Sequence, residues 1–167
     1  MRIFGMTIAA VLGLGLAGAA RGGEPLPTVD AIEVFKARHE LVLLRNGTPI
    51  KTYRISLGTN PAGPKQQQGD HRTPEGRYVI DFHNRASAFH LSLHVSYPNA
   101  QDRKQAAARH VSPGGDIMIH GLPNGMGSQA LLFQGVDWTD GCIAVTNAEI
   151  EEIFPLVAVG TKVEIRP

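Results

Sequence analysis

Short runs of apolar residues with polar neighbours, bounded by Gly, Pro and Asn, divide this chain into strand-like pieces. Residues 32–37 and 41–45 are the first two. Asn46-Gly47 then precedes a third run at 48–57, and both turn residues tolerate positive φ, which predicts a hairpin. Residues 58–76 collect Gly, Pro and Gln together with Lys65, Asp70 and Arg72, a composition expected of an exposed loop. Strand-like runs resume at 77–82 and 89–95. The polar, Ala-rich stretch 98–110 reads as a loop with a short helix, closed by Pro113-Gly114-Gly115, and Ile117-Met118-Ile119 reads as a brief buried strand. A glycine-containing connection from Gly121 to Trp138 follows, with helix expected at 128–133, and then a short apolar run from Ile143 to Val145. Thr146 with Glu149 three positions on forms a capping box, so a helix is expected from about Asn147 to Phe154, stopped near Pro155. A last strand is expected at 162–165. The pattern describes a mainly β protein with two or three short helices.

With 167 residues, 43% of them hydrophobic, the chain has material for one domain with a real core and too little for two. Its first residues read as a secretory signal. Arg2 carries the positive charge, residues 8–17 are apolar apart from Gly, and Ala17-Gly18-Ala19 offers small residues for cleavage. That run is shorter than the ~20 residues of a spanning helix, so export with signal removal is expected and no stable membrane span. The signal region has no cysteine to accept a lipid. The expected organisation is a signal peptide at 1–20, a linker at 21–30 and the domain at 31–167. A net charge of +1, with no basic cluster interleaved with aromatics, gives no electrostatic case for nucleic acid as a partner.

Export changes the meaning of Cys142, the single cysteine of the chain. Disulfides form outside the cytosol, yet one cysteine cannot form one within the chain, which leaves an inert buried thiol or a reactive one. The neighbourhood favours reactivity. Gly141 before Cys142 permits close approach of backbone N–H groups to an oxygen, as an oxyanion site requires. His120 follows the buried Ile117-Met118-Ile119 run and precedes Gly121, where an imidazole can serve as a base. A thiol with an ordinary pKa near ~8.5 needs such a base to take its proton or pair with its thiolate. Attack on an amide then gives a thioester, resolved by an amine or by water.

Ile119-His120-Gly121 and Thr139-Asp140-Gly141-Cys142-Ile143 resemble the motifs of the L,D-transpeptidase catalytic domain family, also called the YkuD domain. The resemblance extends over the opening hairpin at 37–58, Thr73-Pro74-Glu75-Gly76 and the capped helix and final strand at 147–165. Phe89-His90-Leu91-Ser92-Leu93 and Tyr97-Pro98-Asn99 are similar to a proteobacterial branch that includes transpeptidases and an amidase. The resemblance implies a single β-sandwich-type domain, working in the periplasm on the peptide stems of peptidoglycan, with a cell-wall-attached protein as a further acceptor or substrate. It implies Cys142 as nucleophile, His120 as general base, the Gly121 carbonyl as the group orienting the imidazole, and Gly141 and Cys142 as backbone donors. No cofactor is implied. The family's usual motif has His where Asp140 stands and Arg where Ala144 stands, so the acceptor is left open. L,D-transpeptidation, hydrolysis by the same residues as a carboxypeptidase or amidase, and a non-catalytic peptidoglycan-binding module are the three readings.

Around these residues, Thr139 and Asp140 flank the nucleophile, with Asp140 either holding His120 or exposed on a turn. His90, Ser92 and His94 alternate along one strand, and His90 or Ser92 is a candidate to line the substrate cleft. They lack a tight ligand pair or an HExxH signature, so no metal site is expected. Arg72, Arg103 and Arg109 are candidates for the carboxylates of a stem peptide, Arg103 above all, against solvated surface charge. Trp138 is expected in core packing, and His39, His71, His83 and His110 carry no motif.

Overall fold

The computed structural model describes residues 28–167. The expected signal peptide at 1–20, and the part of the expected linker up to residue 27, lie outside the described residues. Strand β1 (Val29–Phe35) buries Val29, Ile32 and Val34 and leaves Asp30 exposed. It begins ahead of residue 31, because Val29 pairs with Val157. A 3-10 turn at Lys36–Arg38 ends at His39 in the left-handed region and reverses the chain into β2 (Glu40–Arg45). Ala37, expected in the first strand, therefore falls in the turn. Asn46 and Gly47 have φ of 50° and 74° and close the predicted hairpin onto β3 (Thr48–Arg54).

The remaining elements are β4 (Gly76–Ser87), β5 (His90–Val95), α1 (Ala100–Ala108), β6 (Met118–His120), a 3-10 turn at Gly127–Gln129 running into α2 (Ala130–Phe133), β7 (Ile143–Ala144), α3 (Asn147–Leu156) and β8 (Val157–Arg166). β4 continues beyond the expected residue 82 through a polar stretch because its ladder with β5 continues there. The capping box of α3 forms as expected: Glu149 N–H donates to Thr146 Oγ1 at 3.3 Å and Thr146 N–H to Glu149 Oε2 at 2.8 Å. Pro155 does not stop this helix, which runs to Leu156. Placed in the last turn, it removes one backbone donor without breaking the ladder before it.

The strands form one sheet in the order β3-β2-β1-β8-β4-β5-β6-β7, with β1–β8 and β6–β7 parallel and the other pairs antiparallel. The mainly β, sandwich-type domain expected from the resemblance is built from this one sheet, which curls until its edges meet. Ser56, past the end of β3, exchanges backbone hydrogen bonds of 2.9 and 2.8 Å with Ala144 of β7, and Gly58 bridges Thr139. Ile32, Leu41, Leu43, Ile55, Ile80, Leu93, Ile119 and Ile143 fill the interior, joined by Ile150, Ile153 and Phe154 from the apolar face of α3.

Loop 58–76 is less exposed than its composition predicts. Lys36, buried at 3% exposure, donates to the carbonyls of Gly63 at 2.6 Å and Thr73 at 3.0 Å and to the Glu75 carboxylate at 2.8 Å. Lys65 and Asp70 form a second ion pair at 2.8 Å with side chains 4% and 11% exposed. The loop uses polar side chains as internal fasteners, satisfying backbone carbonyls that a buried loop otherwise leaves unpaired.

Candidate active site

The register of β6 and β7 sets the site. Ile119 lies beside Ile143 and His120 beside Ala144. Both isoleucines are wholly buried in the core, so alternation turns Met118, His120 and Cys142 to the other face. β5 adds Ser92 directly opposite His120. These residues border a cavity of about 370 Å³ whose walls include Phe89, Trp138, Thr139, Asp116 and Asp140. His120 and Cys142, far apart in sequence, share one cavity floor.

His120 is 3% exposed, packed against Phe89 with ring centroids 4.5 Å apart and against the edge of Trp138 at 5.7 Å. Its Nδ1 lies 2.6 Å from the Gly121 carbonyl oxygen, which only accepts, so Nδ1 carries the proton and Nε2 is left with a lone pair. Burial pushes the imidazole down to about 4, against the opposing pull of the Gly121 bond. Gly121 is closely packed: a Cβ there would lie 2.7 Å from Asn147 Oδ1 and 3.0 Å from Ile150 Cγ2, so those side chains would have to shift.

Cys142 is half-buried, and its Sγ donates to the Asp116 carbonyl at 3.4 Å. Burial pushes the thiol up to about 11; the Met118 backbone N–H works against this, and the Asp140 and Asp116 charges add to it. The resting pair is therefore a neutral thiol and a neutral imidazole. Of the two roles open to the imidazole, taking the thiol's proton or pairing with its thiolate, burial disfavours the second, since it opposes both charged forms.

The turn ahead of the thiol is stitched by Thr139, whose hydroxyl donates to the Cys142 carbonyl at 2.8 Å and accepts from Gly141 N–H at 3.1 Å. Gly141 was expected to offer that N–H to an oxyanion; here it is committed to Thr139. The requirement for glycine is steric. Gly141 has φ of +127°, and a Cβ on it would lie 2.6 Å from the Arg72 carbonyl oxygen. Gly58 makes the same close approach, a Cβ there falling 2.1 Å from the His71 carbonyl oxygen. Two glycines thus let the end of loop 58–76 lie backbone-to-backbone against the turn that carries Cys142.

That docking brings together residues that the sequence leaves unrelated. His71, which carries no motif, places Nδ1 2.8 Å from Asp140 Oδ1. Asp140, 91% exposed, holds His71 and makes no bond to His120. His39 bonds Asp137, which also accepts from Leu57 N–H at 2.8 Å and ties the turn to the chain leaving β3. Two other expectations fail. His90 has φ of 66°, which turns it out of the strand alternation, and it pairs with Glu151 at 2.7 Å outside the cavity. Arg103 lies on the exposed side of α1, donating to the Pro98 carbonyl, away from the site. Ser92, Thr139 and Asp140 do line the cavity. Trp138, expected in core packing, forms a wall of it, with an indole N–H that is buried and unpartnered.

The model of the L,D-transpeptidase catalytic domain, YkuD, matches residues 29–165. The chain belongs to this family. YafK of Escherichia coli K12, which carries the L,D-transpeptidase name provisionally, is 32% identical over 132 residues, spanning 75% of this chain and 46% of YafK. Among solved structures, the helical cell shape determining protein Pgp2 of Campylobacter jejuni superposes with a TM-score of 0.63 at 25% identity, covering 83% of this chain and 47% of Pgp2. An L,D-transpeptidase of Xylanimonas cellulosilytica shares the fold at a TM-score of 0.55 and 14% identity, covering 83% of this chain and 61% of the other. The chain spans less than half the length of YafK and of Pgp2. Two positions near the thiol differ from the motif that the chain resembles. Ala144, where the usual motif has Arg, is 3% exposed and faces a neighbouring small hollow with Ser56, Phe133 and Trp138. Asp140, where His is usual, is paired with His71.

Proposed function

We propose that this protein is a periplasmic cysteine acyltransferase, an L,D-transpeptidase that handles the peptide stems of peptidoglycan through a thioester on Cys142. The observation that carries the reading is the placement of His120 and Cys142 on one sheet face at the floor of one cavity, in a chain of the YkuD family. Cys142 Sγ attacks the acyl carbon of the donor stem while its proton passes to His120 Nε2. With the thiol at about 11 and the imidazole at about 4, transfer accompanies attack and no ion pair precedes it. The Gly121 carbonyl holds the tautomer that makes Nε2 the acceptor. The Cys142 N–H serves the developing oxyanion, because Gly141 N–H is taken. The C–N bond breaks, the leaving amine collects the proton from His120, and a thioester remains. An incoming amine then attacks it, gives its proton to His120, and sulfur departs as thiolate and regains that proton.

Hydrolysis is the second reading, with water in place of the amine. The observation in its favour is the charge around the thiol: Asp116 and Asp140 are the charged residues that line the cavity, and Asp140 stands where the family's usual motif has His. A carboxypeptidase or an amidase acting on a protein attached to the stem uses the same Cys142 and His120 steps. A peptidoglycan-binding module without chemistry has no use for a neutral base beside a thiol.

Incubation with a carbapenem, read by intact mass, should add one drug mass to the wild-type protein and none to Cys142→Ser. Tetrapeptide muropeptides, supplied with and without an acceptor amine, then separate the two outcomes. Cross-linked product that requires the acceptor means transfer, and product formed without it means hydrolysis. Unmodified protein and unchanged muropeptides in every arm would leave only the binding module.

A further inference from the structure

Four buried serine and threonine hydroxyls of this fold have partners, while the Tyr53 hydroxyl, outside the cavity, has none. Ser56 donates to the Phe133 carbonyl at 2.9 Å, Ser87 accepts from Phe89 N–H at 3.0 Å, Thr73 from Gly58 N–H at 3.3 Å, and Thr139 bonds twice within its turn. Ser92 is different. It is wholly buried, stands in register with His120 across the β5–β6 pair, borders the cavity, and its Oγ has no partner. The indole N–H of Trp138, on the wall of the same cavity, is likewise buried and unpartnered. An unpaired buried hydroxyl destabilises the fold, whereas Ala at such a site carries no such penalty. Two unpaired groups around one cavity, next to a base and a thiol, mark a place where hydrogen bonds are completed by what binds.

We infer that Ser92 is a substrate-positioning residue, its hydroxyl engaging a carbonyl oxygen of the peptide held over His120. The inference rests on the reading of the cavity as a peptide acyl-transfer site. Indole N–H donates only, so the group that satisfies Trp138 must accept, and a serine hydroxyl can donate to the same kind of oxygen. A peptide carbonyl answers both. Ser92 Oγ is covered by its neighbours, so engagement needs a move between staggered χ1 rotamers, a small step for serine. Its contact is with substrate rather than with the thiol, and the resting chemistry of Cys142 does not depend on it.

The sign of the stability change separates this role from a structural one. Ser92→Ala should leave the thermal midpoint unchanged or higher, and leave the rate and pH profile of Cys142 alkylation by iodoacetamide unchanged. With tetrapeptide stems it should raise KM about tenfold at little cost in kcat, as expected for one lost neutral hydrogen bond to bound substrate. Ser92→Thr and Ser92→Val are isosteric, so packing effects cancel between them, and the threonine variant should bind stems several-fold better. A lower midpoint for Ser92→Ala with unchanged KM, or equal KM for the Thr and Val variants, overturns the inference while the acyl-transfer reading stands. Absence of any stem turnover by the wild-type protein overturns both.

Discussion

His120 has lost its proton by burial, and this one residue links the chemistry to acid stability. Its imidazole titrates near 4 in the folded chain against an ordinary 6.5. Between those values the unfolded chain binds a proton that the native chain refuses, so stability rises with pH across that window. It is complete above about pH 6.5 and falls as pH drops toward 4, by roughly 3 kcal/mol for a shift of this size. Urea midpoints measured from pH 7 to pH 4 should decline in the wild type and stay flatter in His120→Gln. Asp70 acts lower on the scale. Burial pushes its carboxyl up, but bonds from Gln66 and Gln67 N–H, Lys65 and Arg72 N–H outweigh this and bring it to about 2, so its contribution is lost only below pH 3.8. At Cys142 the raised thiol predicts iodoacetamide alkylation that climbs with pH through the neutral range without a plateau, and faster at a given pH in Asp140→Asn. A plateau at mildly acidic pH would show a preformed thiolate–imidazolium pair. Cys142, His120 and Gly121 each belong to a short local motif, which is why the sequence singled them out as candidates. The placements of His71 and Asp116 were not legible there, since nothing local marks a residue whose neighbours come from distant parts of the chain.

Among the elements, the hairpin at Asn46-Gly47 and the capped helix α3 were legible for the same reason, their signals being contained within a few residues. The pairing of β6 with β7 was not, because a three-residue and a two-residue strand carry no alternation that fixes a parallel register. Nor was the interior of loop 58–76, where polar composition conceals buried Lys36 and Lys65 fasteners. Lys36→Ala leaves the Glu75 carboxylate and two carbonyls without their donor, and should cost about 3 kcal/mol by chemical denaturation. The same loop end presses on the Cys142 turn through Gly58 and Gly141. Gly141→Ala meets both the left-handed φ and the Arg72 carbonyl, so it should lower stability by about 2 kcal/mol or more and slow carbapenem acylation as well. Loss of stability with acylation at the wild-type rate would separate the turn's packing from its chemistry.

At the scale of the whole molecule, the curl of one sheet creates the site by bringing the chain after β3 against β7 at the seam that carries Cys142. Mainly β architecture and a single core were evident from the strand-like runs. The closing of the sheet was not, because it depends on two isolated bridges between distant segments. Ala144 sits at that seam, in register with His120 and bonded to Ser56, so restoring the family's usual Arg there should open it. Ala144→Arg should lower the thermal midpoint by roughly 5–10 °C and reduce activity. A variant that keeps its midpoint and gains activity would contradict this packing. Rapid quenching of the protein with tetrapeptide muropeptides, followed by peptide mapping, should find the acyl part of the stem on Cys142, removable by hydroxylamine and absent from Cys142→Ser. Stem turnover that persists in Cys142→Ser, with no adduct on the wild type, would contradict it.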